Sequence, residues 1–161
     1  MSTNEERGGL LRAAALGAAA GLVGGIALLL VERAERAVLL PEGASTKGVA
    51  QQVVESLARE HGATLEGPPA VAAGAAVQLG YCALWGAVYG VAHEALGIPA
   101  AVDALLLAGA SYAATMSESG LLPKLGIVAP PMNQSMEQTA VPVGAHLAFG
   151  ITTAAVHAAA A

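Results

Sequence analysis

The stretch AVAAGAAVQLGYCALWGAVYGVA, residues 70–92, runs for 23 positions without a charged side chain. At about 1.5 Å of rise per residue a helix of that length reaches about 35 Å, enough to cross a hydrocarbon core of about 30 Å with some tilt. It predicts a membrane-spanning helix. Three further apolar runs, residues 13–31, 100–116 and 140–160, predict its neighbours. The expected fold is all-α, one polytopic membrane domain over residues 1–161 with four transmembrane helices.

Composition agrees with that reading. Hydrophobic residues make up 55% of the chain and charged residues only 12%, outside the usual range for soluble domains. Lys and Arg together number 7 against 12 acidic residues, so no basic surface for tracking phosphates exists and nucleic acid is excluded as a partner. With one Trp, three Tyr and one Phe, the helices must pack through small side chains. Gly17 and Gly21 in the first span, and Gly86 and Gly90 in the second, are four residues apart and are the candidate packing positions. The single cysteine, Cys82, falls mid-span and has no partner for an internal disulfide.

The order of the chain sets the expected topology. The first apolar run exceeds the 7 to 15 residues, roughly, of a signal-peptide core and lacks a small-x-small site after it, so it is read as a retained span. Residues 32–66 form the main extramembrane segment, turning at Pro41-Glu42-Gly43. Within it, residues 45–62 predict a short amphipathic helix: Val49, Val53, Val54 and Leu57 recur at helical spacing, Ser45 or Thr46 can cap its start and Gly62 can end it. It can lie on the bilayer or against the bundle. The short Gly97-Ile98-Pro99 connection predicts that the third span packs beside the second as an antiparallel neighbour. Residues 117–138 read equally as a surface loop or a re-entrant segment. Five basic residues in the two longer loops (Arg33, Arg36, Lys47, Arg59 and Lys124) against two before the first span favour outward termini.

Ionisable residues in membrane segments are costly and are functional candidates by default. Counting antiparallel spans brings His93, Glu94, Asp103 and His157 to one membrane face, a candidate ion or proton site; Asp103 also suits the first turn of a helix electrostatically. His146, Ser111 and Thr115 form a candidate polar site toward the other face. His146 and His157 share a helix face but stand about 16 Å apart along the axis, too far to ligate one metal jointly. Tyr81, Trp85 and Tyr89 make one aromatic stripe, and Gln78 and Ser111 offer interhelical hydrogen bonds. No nucleotide loop, nucleophile elbow or zinc spacing occurs, so no catalytic residue, metal ligand set or cofactor is expected.

The order Gly21-Leu22-Val23-Gly24-Gly25, Leu40-Pro41, the Gly80 to His93 span and His146-Leu147-Ala148-Phe149-Gly150 resembles the YagU-like group of bacterial inner-membrane proteins, a family of unknown function. That family carries a proline-proline-arginine run after its first span, where this chain has Pro41-Glu42-Gly43. The resemblance implies a small multi-span protein of the bacterial cytoplasmic membrane and carries no site residues with it. The functional expectation is a non-enzymatic accessory, structural or assembly subunit in contact with the bilayer, as a homo-oligomer or in a membrane complex. The alternatives are a proton- or ion-handling protein and a haem- or quinone-binding redox subunit.

Overall fold

The structure, a computed structural model, describes residues 3–40 and 47–161. Its helices are α1 (Thr3–Leu39), α2 (Val49–Glu60), α3 (Gly67–Leu96), α4 (Ala100–Met116), the short α5 (Leu121–Lys124) and α6 (Met136–Ala160), with a 3-10 turn at Pro131–Asn133. Four segments are long and apolar enough to cross a membrane: Arg7–Leu39, Gly67–Leu96, Ala100–Lys124 and Met136–Ala160. The all-α bundle of four spans, with a shorter helix in the first loop, is the architecture expected from the apolar runs.

Local chemistry explains the boundaries. Helix α3 starts with Pro68 and Pro69 in its first turn, where a missing N–H costs nothing, and stops at Gly97, whose φ of 60° supplies the left-handed cap and returns its N–H to the His93 carbonyl. Helix α6 begins with a capping box: Ser135 Oγ accepts from the Gln138 N–H, and Gln138 Oε1 accepts from the Ser135 N–H. Helix α1 does not stop at the end of its apolar run. It continues through Glu32 and Arg36, paired at 2.9 Å one turn apart, and so reaches beyond residue 31.

The expected Ser45 or Thr46 cap and the Pro41-Glu42-Gly43 turn lie outside the described residues. Helix α2 has Gly48 at its N-cap with no side-chain cap bond. It lies against α3, where the bare Gly74 admits its backbone; a Cβ there would meet Gln51 Cα at 2.7 Å. Outside the spans, Glu55 of α2 accepts from Lys47 Nζ at 2.7 Å and Gln51 Nε2 at 2.8 Å. The Lys47 bond, then the Gln51 bond, hold its carboxyl below the ordinary value, so their support is present above that value and fades as pH falls through the lowered one.

Packing order departs from the sequence expectation. Helix α1 contacts both α3 and α6, and α4 packs chiefly on α6, so the spans run α3, α1, α6, α4 in space. The third span does not pack along the second; α3 and α4 touch sparsely. The cause is where small residues face. A Cβ on Gly17 would strike the Gly86 carbonyl oxygen, one on Gly21 the Cys82 carbonyl oxygen, and one on Gly90 the Ala13 carbonyl oxygen, so the smooth face of α3 is spent on α1. On the other side Gly150 of α6 approaches the Ala104 carbonyl and the Ala108 Cβ of α4, the latter at 3.0 Å from an added methyl. The core between these contacts holds Leu28, Cys82, Leu107, Ala145 and Phe149. Residues 117–138 contain α5, with Leu122 buried, and the 3-10 turn.

These contacts separate two kinds of glycine. Gly86→Val must drive α1 and α3 apart and is expected to lower unfolding free energy by about 1–3 kcal/mol, the usual range for overpacking. Gly80, with nothing within 4 Å of an added Cβ, should accept Ala with a gain of up to about 1 kcal/mol from helix propensity. Thermal unfolding of both variants in mild detergent checks the contrast.

Candidate functional site

Histidines near the ends of α3 and α6, a third inside α6 and a buried aspartate supply polar groups inside the bundle. The turn at Gly97 puts the last turn of α3 beside the first turn of α4, and there His93 Nδ1–H donates to Asp103 Oδ2 at 2.5 Å. The Asp103 side chain is only 7% exposed, while that of His93 is 30% exposed, so the carboxylate is reached through the imidazole. A buried carboxylate requires such a partner, because an unpaired charge in apolar surroundings is costly. With its proton on Nδ1, the neutral His93 ring presents Nε2 as an acceptor.

Helix α6 brings His157 to the same place from the far side of the bundle. Its ring meets His93 edge-on at a centroid distance of 5.4 Å and Tyr89 edge-on at 5.3 Å, while Tyr89 stacks on His93 at 5.7 Å. His157 is buried, and neither of its ring nitrogens has a hydrogen-bond partner among the described residues; the Tyr89 hydroxyl is equally unpartnered. One turn further in along α6, Thr153 Oγ1 is buried and unpartnered as well. Unsatisfied buried polar atoms are rare, and several of them on adjoining side chains mark a place built for something other than stability.

Of the four residues expected on this face, His93, Asp103 and His157 come together, whereas Glu94 points outward and is exposed. Adjacent residues on a helix stand about 100° apart around the axis, so His93 and Glu94 cannot both face inward. Tyr89 belongs to the group through its position one turn before His93, a spacing visible in the sequence. Among the described residues no three His, Cys, Asp or Glu side chains converge as a metal site.

At the other end of the bundle His146 Nδ1–H donates to the Pro142 carbonyl at 2.7 Å, and its Nε2 lies 3.5 Å from Thr115 Oγ1. Thr115 and His146 are therefore adjacent. Ser111 contributes its carbonyl, which accepts from Thr115 Oγ1 at 2.8 Å and from Tyr81 OH at 3.1 Å, while its hydroxyl turns back to Ala108 O. The expected interhelical bonds of the Gln78 and Ser111 side chains do not form; both stay within their own helices, Gln78 reaching Cys82 Sγ at 3.6 Å. A cavity of about 390 Å³ opens beside His146, walled by α1, α2, α3, α4, α5 and α6. Glu32, Arg36, Gln52, Gln78, Gln134 and Gln138 also line it. Sequence reasoning does not group these side chains, because only the packing order creates the space they border.

No family model, curated protein or solved structure matches this chain.

The His93–Asp103 bond also ties α3 to α4. Replacing Asp103 by Ala removes a charge-assisted bond and is expected to cost about 1.5–3 kcal/mol, whereas Glu94→Gln, at an exposed position, should stay within about 0.5 kcal/mol of the parent. Thermal unfolding in detergent, with both variants measured side by side, tests the difference.

Proposed function

We propose that this chain is a non-enzymatic integral membrane protein that handles protons, with His93, Asp103 and His157 taking up and passing them. The observation that carries the reading is the buried, unpartnered His157 imidazole set edge-on against a His93 ring already engaged by a buried carboxylate. Asp103 alone is explained by the favourable field of a helix N-terminus and by its tie to α3. Neither effect accounts for His157 or for the Tyr89 hydroxyl.

The chemistry follows from the protons each atom holds. His93 Nε2, on the more exposed ring, accepts a proton; the imidazolium is then held by the Asp103 carboxylate at Nδ1. His157 offers the next acceptor and the Thr153 hydroxyl the one after it. Phe149, fully buried, then interrupts the polar line before His146. The cluster in this conformation therefore exchanges protons with one face, and transit past Phe149 requires that ring to move.

In this reading the chain works in a bacterial cytoplasmic membrane with its termini outward, as a homo-oligomer or as an accessory subunit of a complex that uses the site. Likeness to the YagU-like group carries no mechanism, so the proposal stands on the residues alone.

Reconstitution into vesicles containing a pH-sensitive dye, under an imposed potential, tests the proposal. Asp103→Asn keeps a hydrogen-bond partner for His93 and removes the carboxylate; it should leave thermal stability close to the parent's and cut proton movement by at least about tenfold. Parent vesicles no more permeable than protein-free ones, or an Asp103→Asn variant as active as the parent, would sink it.

A further inference from the structure

The cavity beside His146 has a chemistry of its own, separate from the proton cluster at the opposite end. Helices α3 and α4 are joined by the Gly97 turn, by the His93–Asp103 bond and, midway, by Tyr81 OH donating to Ser111 O. Beyond that last bond they diverge, and the space of about 390 Å³ lies in the gap, floored by Leu28 of α1 and Val141 of α6 and closed on the outside by Val53 of α2 and Leu122 of α5. A volume of this size suits the head of a small amphiphile rather than a few waters. At its mouth Val77 is 48% exposed and Leu121 is 54% exposed, which leaves a way out toward lipid for anything longer.

Charge and hydrogen-bond accounting narrow the occupant. Among the described residues, Glu32 and Arg36 are the charged ones lining the space, and they are paired with each other through two contacts of 3.0 and 2.9 Å, so their charges compensate before any ligand arrives. The two hydroxyls at the inner end, Tyr81 and Thr115, both spend their protons on the Ser111 carbonyl. His146 is only 6% exposed, and its proton sits on Nδ1, committed to Pro142 O at 2.7 Å. Its Nε2 is then a lone pair, met at a long 3.5 Å by Thr115 Oγ1, whose single proton is better placed on the Ser111 carbonyl at 2.8 Å. Pro142, lacking an N–H, also deprives the Gln138 carbonyl of its helical donor at the same end. The inner end of the cavity is thus a largely apolar chamber with a buried, weakly met acceptor and no net charge.

We infer that this cavity binds a neutral membrane lipid carrying a hydroxyl group, the hydroxyl donating to His146 Nε2 and the hydrocarbon leaving between α3 and α4 past Val77. A linear isoprenoid alcohol and an isoprenoid quinol share that chemistry. Carboxylates and phosphates fit less well, since the weakly met position accepts a proton donor and the charge of the Arg36 guanidinium is already compensated by Glu32.

The full chain in nanodiscs, with tritiated farnesol as the probe, tests the assignment. Saturable binding is expected, with farnesyl methyl ether competing about tenfold more weakly because it lacks the donor. His146→Leu should weaken farnesol by a similar factor, and Val77→Phe, which blocks the mouth, should also weaken it. Leu84→Phe, on the exposed part of α3 away from the cavity, should leave binding unchanged. A decyl-substituted benzoquinol that displaces farnesol at lower concentration identifies the quinol as the natural type; weaker displacement identifies the linear alcohol. An ether that competes as well as the alcohol, palmitate that competes better, or variants at His146 and Val77 that both bind like the parent would overturn the inference. Should the His146 variant fail to fold, the comparison of alcohol with ether on the parent protein decides the matter alone.

Discussion

The contact on which this bundle depends is the direct approach of two backbones, Gly17 and Gly21 of α1 against Gly86 and Gly90 of α3. Lipid tails are as apolar as leucine, so helices in a bilayer gain little by burying aliphatic side chains against each other; close packing of small residues replaces that drive. Helix α1 uses a second side in the same way, since the bare Gly24 receives Thr153 and Phe149 of α6. It therefore sits between α3 and α6 and holds the bundle as its central element. Helix α4, whose small residues Ala104 and Ala108 meet Gly150, is left to α6.

The spans are legible in the sequence because the length of an apolar run is itself a physical constraint, and 100–116, with Asp103 as its one charge, matches α4 to the residue. The polar face made of His93, Asp103 and His157 is legible too, since alternating spans leave only two ends at which a group can lie. Neighbour order is not. A three-residue connection ties only the ends of two helices, and the remaining length is free to follow whichever surface lets backbones come closest. Gly150 enters the sequence reading only through a resemblance, yet its spacing from His146 and His157 places it on the α6 face that needs a partner. Glu94 misleads for the opposite reason, because proximity along the chain is not proximity in space.

The divergence of α3 from α4 has consequences beyond topology. Had the hairpin closed along its length, Tyr81 and Ser111 would lie inside a continuous seam, and no chamber would exist beside His146. Because α3 is drawn to α1, and α4 to α6, the two helices meet at polar points and separate where those points end. The same packing preference that builds the core thus creates both the clamped cluster near the turn and the open space away from it.

Helix α6 passes through both regions on one face: Pro142, His146, Phe149, Thr153 and His157 recur at three- and four-residue intervals. The two histidines are held differently. His146 has its proton fixed by the Pro142 carbonyl, while His157 has no polar partner among the described residues. Phe149 stands between them, close to the bare Gly24 of α1, and next to it Gly150 seats on α4. Any movement of Phe149 that joined the two polar regions would have to shift α6 against both helices at once. Val141 and Ala145, which line the cavity, lie about two turns and one turn from that ring on the same helix. A molecule seated there favours one position of α6 over another only through unequal contacts with the two, and the protonation of His157 would then alter its affinity by the same factor.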